Sequence, residues 1–217
     1  MITTISNSNL TVQIKHLGAE LFSIKNEQNK EYIWEGNPFF WGKHSPILFQ
    51  IVGSLKNNTY HIDGKQFHLN RHGFAREKEF ELIKKTDETA TFSLISSNET
   101  KEIYPFDFEL QIYYTLNENQ LNIGYKVVNE NNSVLPFSIG AHPAFALPGN
   151  FEEYSLEFPQ DESLKYHLLE EGLISNVSDE LQLDNRQLGL NYQLFENDAL
   201  VFKTLKSKSI TILKNSN

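Results

Sequence analysis

Cysteine is absent from the 217 residues, which excludes disulfides, cysteine nucleophiles and thiolate metal sites and is compatible with a reducing compartment. Positive charge is scarce. Lys and Arg number 19 against 28 Asp and Glu, for a formal net charge of −9, and no run of Lys or Arg exceeds two residues. A nucleic-acid groove or a docking surface for an anionic membrane needs clustered basic residues, so neither partner is expected. Long apolar runs are missing too: the longest, Ile47 to Val52, is interrupted at Gln50 and is far too short to cross a bilayer. The N-terminus carries neither a basic n-region nor an apolar h-region, which points to a cytoplasmic protein. There is no Gly-x-Ser-x-Gly elbow, no phosphate-cradling Gly-rich loop and no dinucleotide fingerprint. No His-x-His pair occurs, and His68 and His72 sit on a strand and turn where their spacing does not converge. No protein-ligated metal is therefore expected.

What is present is aromatic and alternating. The chain holds 16 Phe and 9 Tyr, residue types that suit a pleated, half-buried surface. Leu10, Val12 and Ile14 alternate with polar residues, and Leu21, Phe22 and Ile24 follow a break at Gly18. Tyr60 and Ile62 lead into Asp63-Gly64, a two-residue hairpin signal, and Phe67 and Leu69 resume beyond it. Phe80 and Leu82 oppose Ala90, Phe92 and Leu94. Phe108, Leu110, Ile112, Tyr114 and Leu116 oppose Leu121, Ile123, Tyr125 and Val127. Val134 to Gly140 predicts another strand, as do Ser155–Phe158, Leu200–Leu205 and Ile210–Leu213. Leu164 to Asn191 reads as a short helix or a long loop. No linker-like composition break interrupts the pattern, which predicts one antiparallel all-β domain over residues 1–217 with functional loops.

Two loop motifs carry polar chemistry. Gly140-Ala-His-Pro-Ala-Phe145 places His142 at the end of a strand, where Pro143 biases it away from helix. Phe137, Ile139, Phe145 and Leu147 are expected to wall the imidazole. Taken alone, such a histidine also reads as a structural residue of a proline-rich turn. Asn70-Arg-His-Gly-Phe-Ala-Arg76 allows a sharp turn at Gly73, from which His72 and Arg76 project toward a common pocket. The alternative there is a solvated basic hairpin tip. Two histidines on separate loops of an acidic β-protein suggest acid–base chemistry on a neutral polyhydroxylated ligand. Trp34 and Trp41 flank Pro38 in an aromatic segment able to stack on a sugar face, with ordinary core as the competing reading for at least one of them.

In order, Gly18-Ala-Glu-Leu21, Trp34, Trp41, Pro46-Ile-Leu-Phe49, Val52-Gly53, His72-Gly-Phe-Ala-Arg76 and Gly140-Ala-His-Pro-Ala-Phe145 resemble the aldose 1-epimerase (galactose mutarotase) superfamily, most closely its LacX-like branch. The resemblance runs from about residue 10 to about residue 213. It implies the family's large antiparallel β-sandwich and an isomerase that interconverts hexose anomers through the open-chain aldehyde, with no metal or cofactor. By motif, His142 would protonate the ring oxygen, His72 would bind the substrate and share charge with its oxygens, and Arg76 would orient hydroxyls. Trp41 would contact the sugar, and Asp198, in Phe195-Glu-Asn-Asp-Ala-Leu-Val-Phe202, would be a sugar-binding acid or a turn aspartate. Galactose-type members carry an arginine soon after the Gly53 position, where this chain reads Ser54-Leu-Lys56. The family's general base is a glutamate in a C-terminal segment that follows strands like Leu200–Leu213. None of Glu152, Glu153, Glu157 or Glu196 sits in a matching motif, so no base is assigned and residues 1–217 are expected to lack that segment. The implied partner is a hexose or a hexose phosphate. For a phosphate, Lys43, Lys56, Arg71 and Arg76 are the basic candidates. The unassigned base motivates a second reading, a non-catalytic carbohydrate-binding or sensing module.

Overall fold

Alternating apolar residues become strands because each then buries one face, and neighbouring strands must supply what that face packs against. The structure, a computed structural model, describes residues 1–215, and the chain divides into two compact units, Met1–Ala146 and Leu147–Asn217. In the first unit, β1 (Ile2–Ser6), β2 (Leu10–Lys15) and β3 (Leu21–Asn26) form one antiparallel sheet in that order. β4 (Ile47–Gln50) finds its partner far along the chain, and β5 (Thr59–Ile62) pairs with β6 (Lys65–His68) across Asp63-Gly64, both with positive φ (48° and 77°). Those are the angles a primed two-residue turn requires. β7 (Glu81–Lys85), β8 (Thr89–Ile95), β9 (Phe108–Asn117) and β10 (Gln120–Asn129) make a four-stranded sheet in the order β10-β9-β8-β7. β11 (Ser138–Ala141) pairs with β4.

Every second residue of β9, from Phe108 through Leu110, Ile112, Tyr114 and Leu116, is buried. That face shares one core with Ile5, Val12, Ile14 and Leu21 of the three-stranded sheet, which makes an all-β antiparallel sandwich. Fully burying each such large side chain contributes about 2–3 kcal/mol. The layers are also cross-linked: the His16 ring meets Phe92 edge-on at 5.3 Å, and the Tyr114 hydroxyl donates to the Ala19 carbonyl at 2.7 Å. Between β8 and β9 lies a short helix, α1 (Asn98–Ile103), that the period-two reading does not register. Ser97 and Thr100 cap it reciprocally, with Thr100 in the place that usually holds Glu or Gln. β11 is shorter than the predicted Val134–Gly140 strand, and Val134 is 82% exposed.

In the second unit, β12 (Tyr154–Glu157) has partners on both sides, β15 (Gln187–Gly189) and β16 (Thr211–Lys214). β13 (Ser163–Glu170) pairs with β14 (Leu173–Gln182). The expectation of a helix or loop over Leu164–Asn191 is therefore corrected to a β-ribbon. Its turn, Glu171-Gly172, has positive φ at both residues (51° and 76°), but glutamate at the first position hides the hairpin signal. Ile174 and Val177 of β14 are exposed, so alternation is diluted as well. Leu200–Leu205 is not a strand. Leu200, Phe202 and Leu205 instead pack on the small core of Phe158, Leu164 and Leu188, and β16 pairs with β12 rather than with that stretch. Among the described residues no helix is long and apolar enough to cross a membrane.

Candidate functional site

β4 and β11 bring the two histidine loops together. Their register sets Leu48 opposite Gly140 and Ile47 opposite Ala141, and the His142 N–H extends the ladder by donating to the Pro46 carbonyl at 3.1 Å. The next rungs, Ala144 N–H to the His44 carbonyl (2.8 Å) and Trp34 N–H to the Ala144 carbonyl (2.9 Å), hold Pro143 and its neighbours extended. Glu20 braces the other side by accepting the His44 and Ser45 amides at 2.7 and 3.1 Å. The Trp34 indole N–H donates to the Trp41 carbonyl at 2.9 Å, which fixes the aromatic segment, and the Trp41 ring lies 4.9 Å from that of His142. Among the described residues the aromatic rings beside His142 are thus those of Trp41 and His72. Phe137, expected as part of its wall, packs on Phe49, and Ile139 packs on the core.

The His72 loop is locked by backbone. The His72 N–H donates to the Gly53 carbonyl at 2.9 Å, and the Gly53 N–H donates back to His72 Nδ1 at 3.0 Å. Gly73 follows at φ 68°, and a Cβ there would stand 2.1 Å from the Phe49 carbonyl oxygen, so only glycine lets the loop lie against β4. Beyond it, Phe74 and Ala75 are buried and a 3₁₀ turn, Ala75–Glu77, carries Arg76. Gly18 seats that turn: a Cβ at Gly18 would meet the Arg76 carbonyl at 2.8 Å. Arg76 Nη2 donates to the Arg71 carbonyl at 2.9 Å, which orients the guanidinium, while its Nε stays 3.7 Å from the Glu77 carboxylate.

The result is a cleft of about 250 Å³ lined by Trp41, Pro46, Leu48, Arg71, His72, Arg76 and His142. The two imidazoles face each other edge to plane, with centroids 6.1 Å apart. Burial, reinforced by the Arg71 and Arg76 guanidiniums and by His142, lowers the His72 pKa to about 4. Because Nδ1 accepts the Gly53 amide, the neutral ring carries its proton on Nε2 and is a hydrogen-bond donor at neutral pH. Among the lining residues there is no carboxylate, and among the described residues no group of three His, Cys, Asp or Glu gathers to hold a metal.

Four of the five residues singled out from sequence, Trp41, His72, Arg76 and His142, line this one cleft. Asp198 lies in the second unit, at a positive-φ turn position where it lines a cavity with Tyr166, Asn191 and Asn197. Arg71 was named from sequence only among the basic candidates. It lines the cleft beside Arg76, whereas Lys43 and Lys56 do not. Its signal was adjacency to His72, which side-chain alternation along an extended chain would have discounted.

A family model described as aldose 1-epimerase matches residues 1–217. The chain is 38% identical over 225 residues to the chromosomal Protein LacX of Lactococcus lactis subsp. lactis, covering 98% of this chain and 75% of that protein. Among solved structures it resembles a galactose mutarotase related enzyme from Lactobacillus acidophilus, with TM-score 0.92 and 35% identity over 98% of this chain and 72% of that one. It also resembles a galactose mutarotase-like protein from Lactobacillus casei ATCC 334, with TM-score 0.84 and 29% identity over 91% of this chain and 70% of that one.

Proposed function

The chain belongs to the aldose 1-epimerase family, and from that premise we propose that it interconverts the α and β anomers of a hexose by opening and reclosing the ring. The observation that carries this reading is the facing pair His72 and His142 beside Trp41 in a cleft of monosaccharide size. Trp41 offers an apolar face for the sugar to lie on. His142 delivers a proton to the ring oxygen, the bond between C1 and the ring oxygen breaks, and the C1 hydroxyl releases its proton to solvent water as the aldehyde forms. Rotation about C1–C2 presents the other face of the carbonyl, and closure reverses both transfers. Such a step needs groups that exchange protons near neutral pH, the range in which histidine works.

His72 plays a different part. A ring that stays neutral and donates through Nε2 binds and polarises a sugar oxygen without taking up the proton itself. Arg76, oriented by the Arg71 carbonyl, directs hydroxyl oxygens. No base is assigned among the residues that line the cleft. The test is polarimetry of freshly dissolved α-glucose and α-galactose: the protein should shorten the approach to equilibrium relative to buffer. A decay identical to buffer for these sugars and their 6-phosphates would overturn the catalytic reading. Calorimetric sugar binding in that case would leave a binding protein.

A further inference from the structure

We propose that a second pocket of the first unit, separate from the sugar cleft, binds an uncharged and mostly apolar small molecule carrying one carboxamide-type edge, such as an aromatic amide or a lactam. It goes beyond the sugar-site reading and does not depend on it. The pocket has a volume of about 300 Å³ and shares no lining residue with the cleft. Both are built on β4 and β11: Leu48 lines the cleft, while Gln50 and its register partner Ser138 line the pocket. Ile51, Leu55, Tyr60, Tyr104 and Phe137 supply much of the remaining wall, and no lining residue carries a charge. A space of this size, apolar with one or two polar groups, suits a small ring compound.

Gln50 points to the chemistry of the ligand. The residue is 1% exposed, yet neither its Nε2 nor its Oε1 has a hydrogen-bond partner among the described residues. A buried carboxamide gives up its bonds to water on folding, and a donor and an acceptor left unmet there call for a partner. The neighbouring hydroxyl protons are committed elsewhere: Tyr60 donates to the Ile103 carbonyl at 2.7 Å and Tyr104 to the Pro136 carbonyl at 2.9 Å. Water is poorly served in this pocket, because a bridging molecule needs about two to four polar contacts and the wall is mostly hydrocarbon. An amide or lactam edge, with donor and acceptor side by side, meets both Gln50 atoms at once while its ring lies among the apolar and aromatic side chains of the wall. A sugar has too many hydroxyls for this wall, and an anion would be buried with no cation among the lining residues.

Benzamide and toluene test this, since they share a ring and differ in the amide edge. When benzamide is added to the full chain, the side-chain amide NMR signals of Gln50 should shift saturably, and galactose should not reverse the shift. The ratio of benzamide to toluene affinity should fall about tenfold or more in Gln50→Met, which keeps the side-chain length and removes both polar atoms. Without any probe, that variant should melt about 2–4 °C above wild type, as expected when an unmet donor and acceptor leave the interior. Unmoved Gln50 signals, an affinity ratio unchanged in Gln50→Met, or reversal by galactose would overturn the inference. So would a variant that melts below wild type, because Gln50 would then have a partner in the free protein.

Discussion

At pH 5, where an ordinary histidine is mostly charged, His72 is expected to be neutral with its proton on Nε2. Its folded pKa is about 4 against 6.5 for the free side chain, driven by burial first and by Arg71, Arg76 and His142 after it. The pKa is depressed, so the linked stability is fully present above about pH 6.5 and is lost as pH falls through about 4. A difference of that size corresponds to about 3 kcal/mol for an enclosed group. The ring lines an open cleft, and solvent screening reduces the expected contribution to about 1–2 kcal/mol. His72→Asn is the matched reference. Asn tolerates the observed φ of 71° and presents an oxygen near the Nδ1 position to accept the Gly53 N–H, but it does not titrate. Urea unfolding of both proteins at pH 7, 5.5 and 4.5 should show the wild type losing about 1–2 kcal/mol relative to the variant across that window. The imidazole signals should assign one histidine with a midpoint near 4 and a ring-nitrogen pattern protonated at Nε2. A His72 midpoint near 6.5, or a proton on Nδ1, would refute the reasoning about this loop.

Other substitutions probe the scaffold and the wall of the cleft. Gly73→Ala forces an L-residue to φ 68° and drives a Cβ to 2.1 Å from the Phe49 carbonyl and 2.5 Å from the Gln50 amide. Left-handed strain of about 1–2 kcal/mol and overpacking of about 1–3 kcal/mol should together cost about 2–5 kcal/mol in urea unfolding, and a variant as stable as wild type would contradict the close approach. Trp41→Ala removes the aromatic face beside His142, and should raise KM by about 2–10-fold, the worth of one stacking contact. A fall in kcat with KM unchanged would place Trp41 outside the binding surface.

The strands of the first unit were legible because each buries one face. β9 alternates without a slip for ten residues, and the Asp63-Gly64 turn wrote its own signal. The second unit was harder because its ribbon buries few of its residues, leaving Ile174 and Val177 exposed, its turn begins with glutamate, and Leu200, Phe202 and Leu205 are apolar for packing on the small core. Site residues followed the same logic. His72 and His142 were marked by glycine and proline, whose backbone demands survive in sequence. The histidine seats were not so marked: His16 is a core residue bonded to Thr3 at 2.9 Å, and His44 braces the ladder, yet both look like His72 in a list of residue types. What sequence could not convey was how the β4–β11 register turns two distant loops to face each other, or that Trp41 rather than Phe137 meets His142.

The most direct measurement follows optical rotation of freshly dissolved α-galactose and α-glucose, and of their 6-phosphates, with wild-type protein beside His142→Asn. The account predicts faster equilibration than buffer for at least one of these sugars with the wild type, and loss of most of that acceleration in the variant, about 10²–10⁴-fold for a removed acid. Undiminished acceleration by His142→Asn would contradict the assignment of the ring-oxygen proton to this histidine.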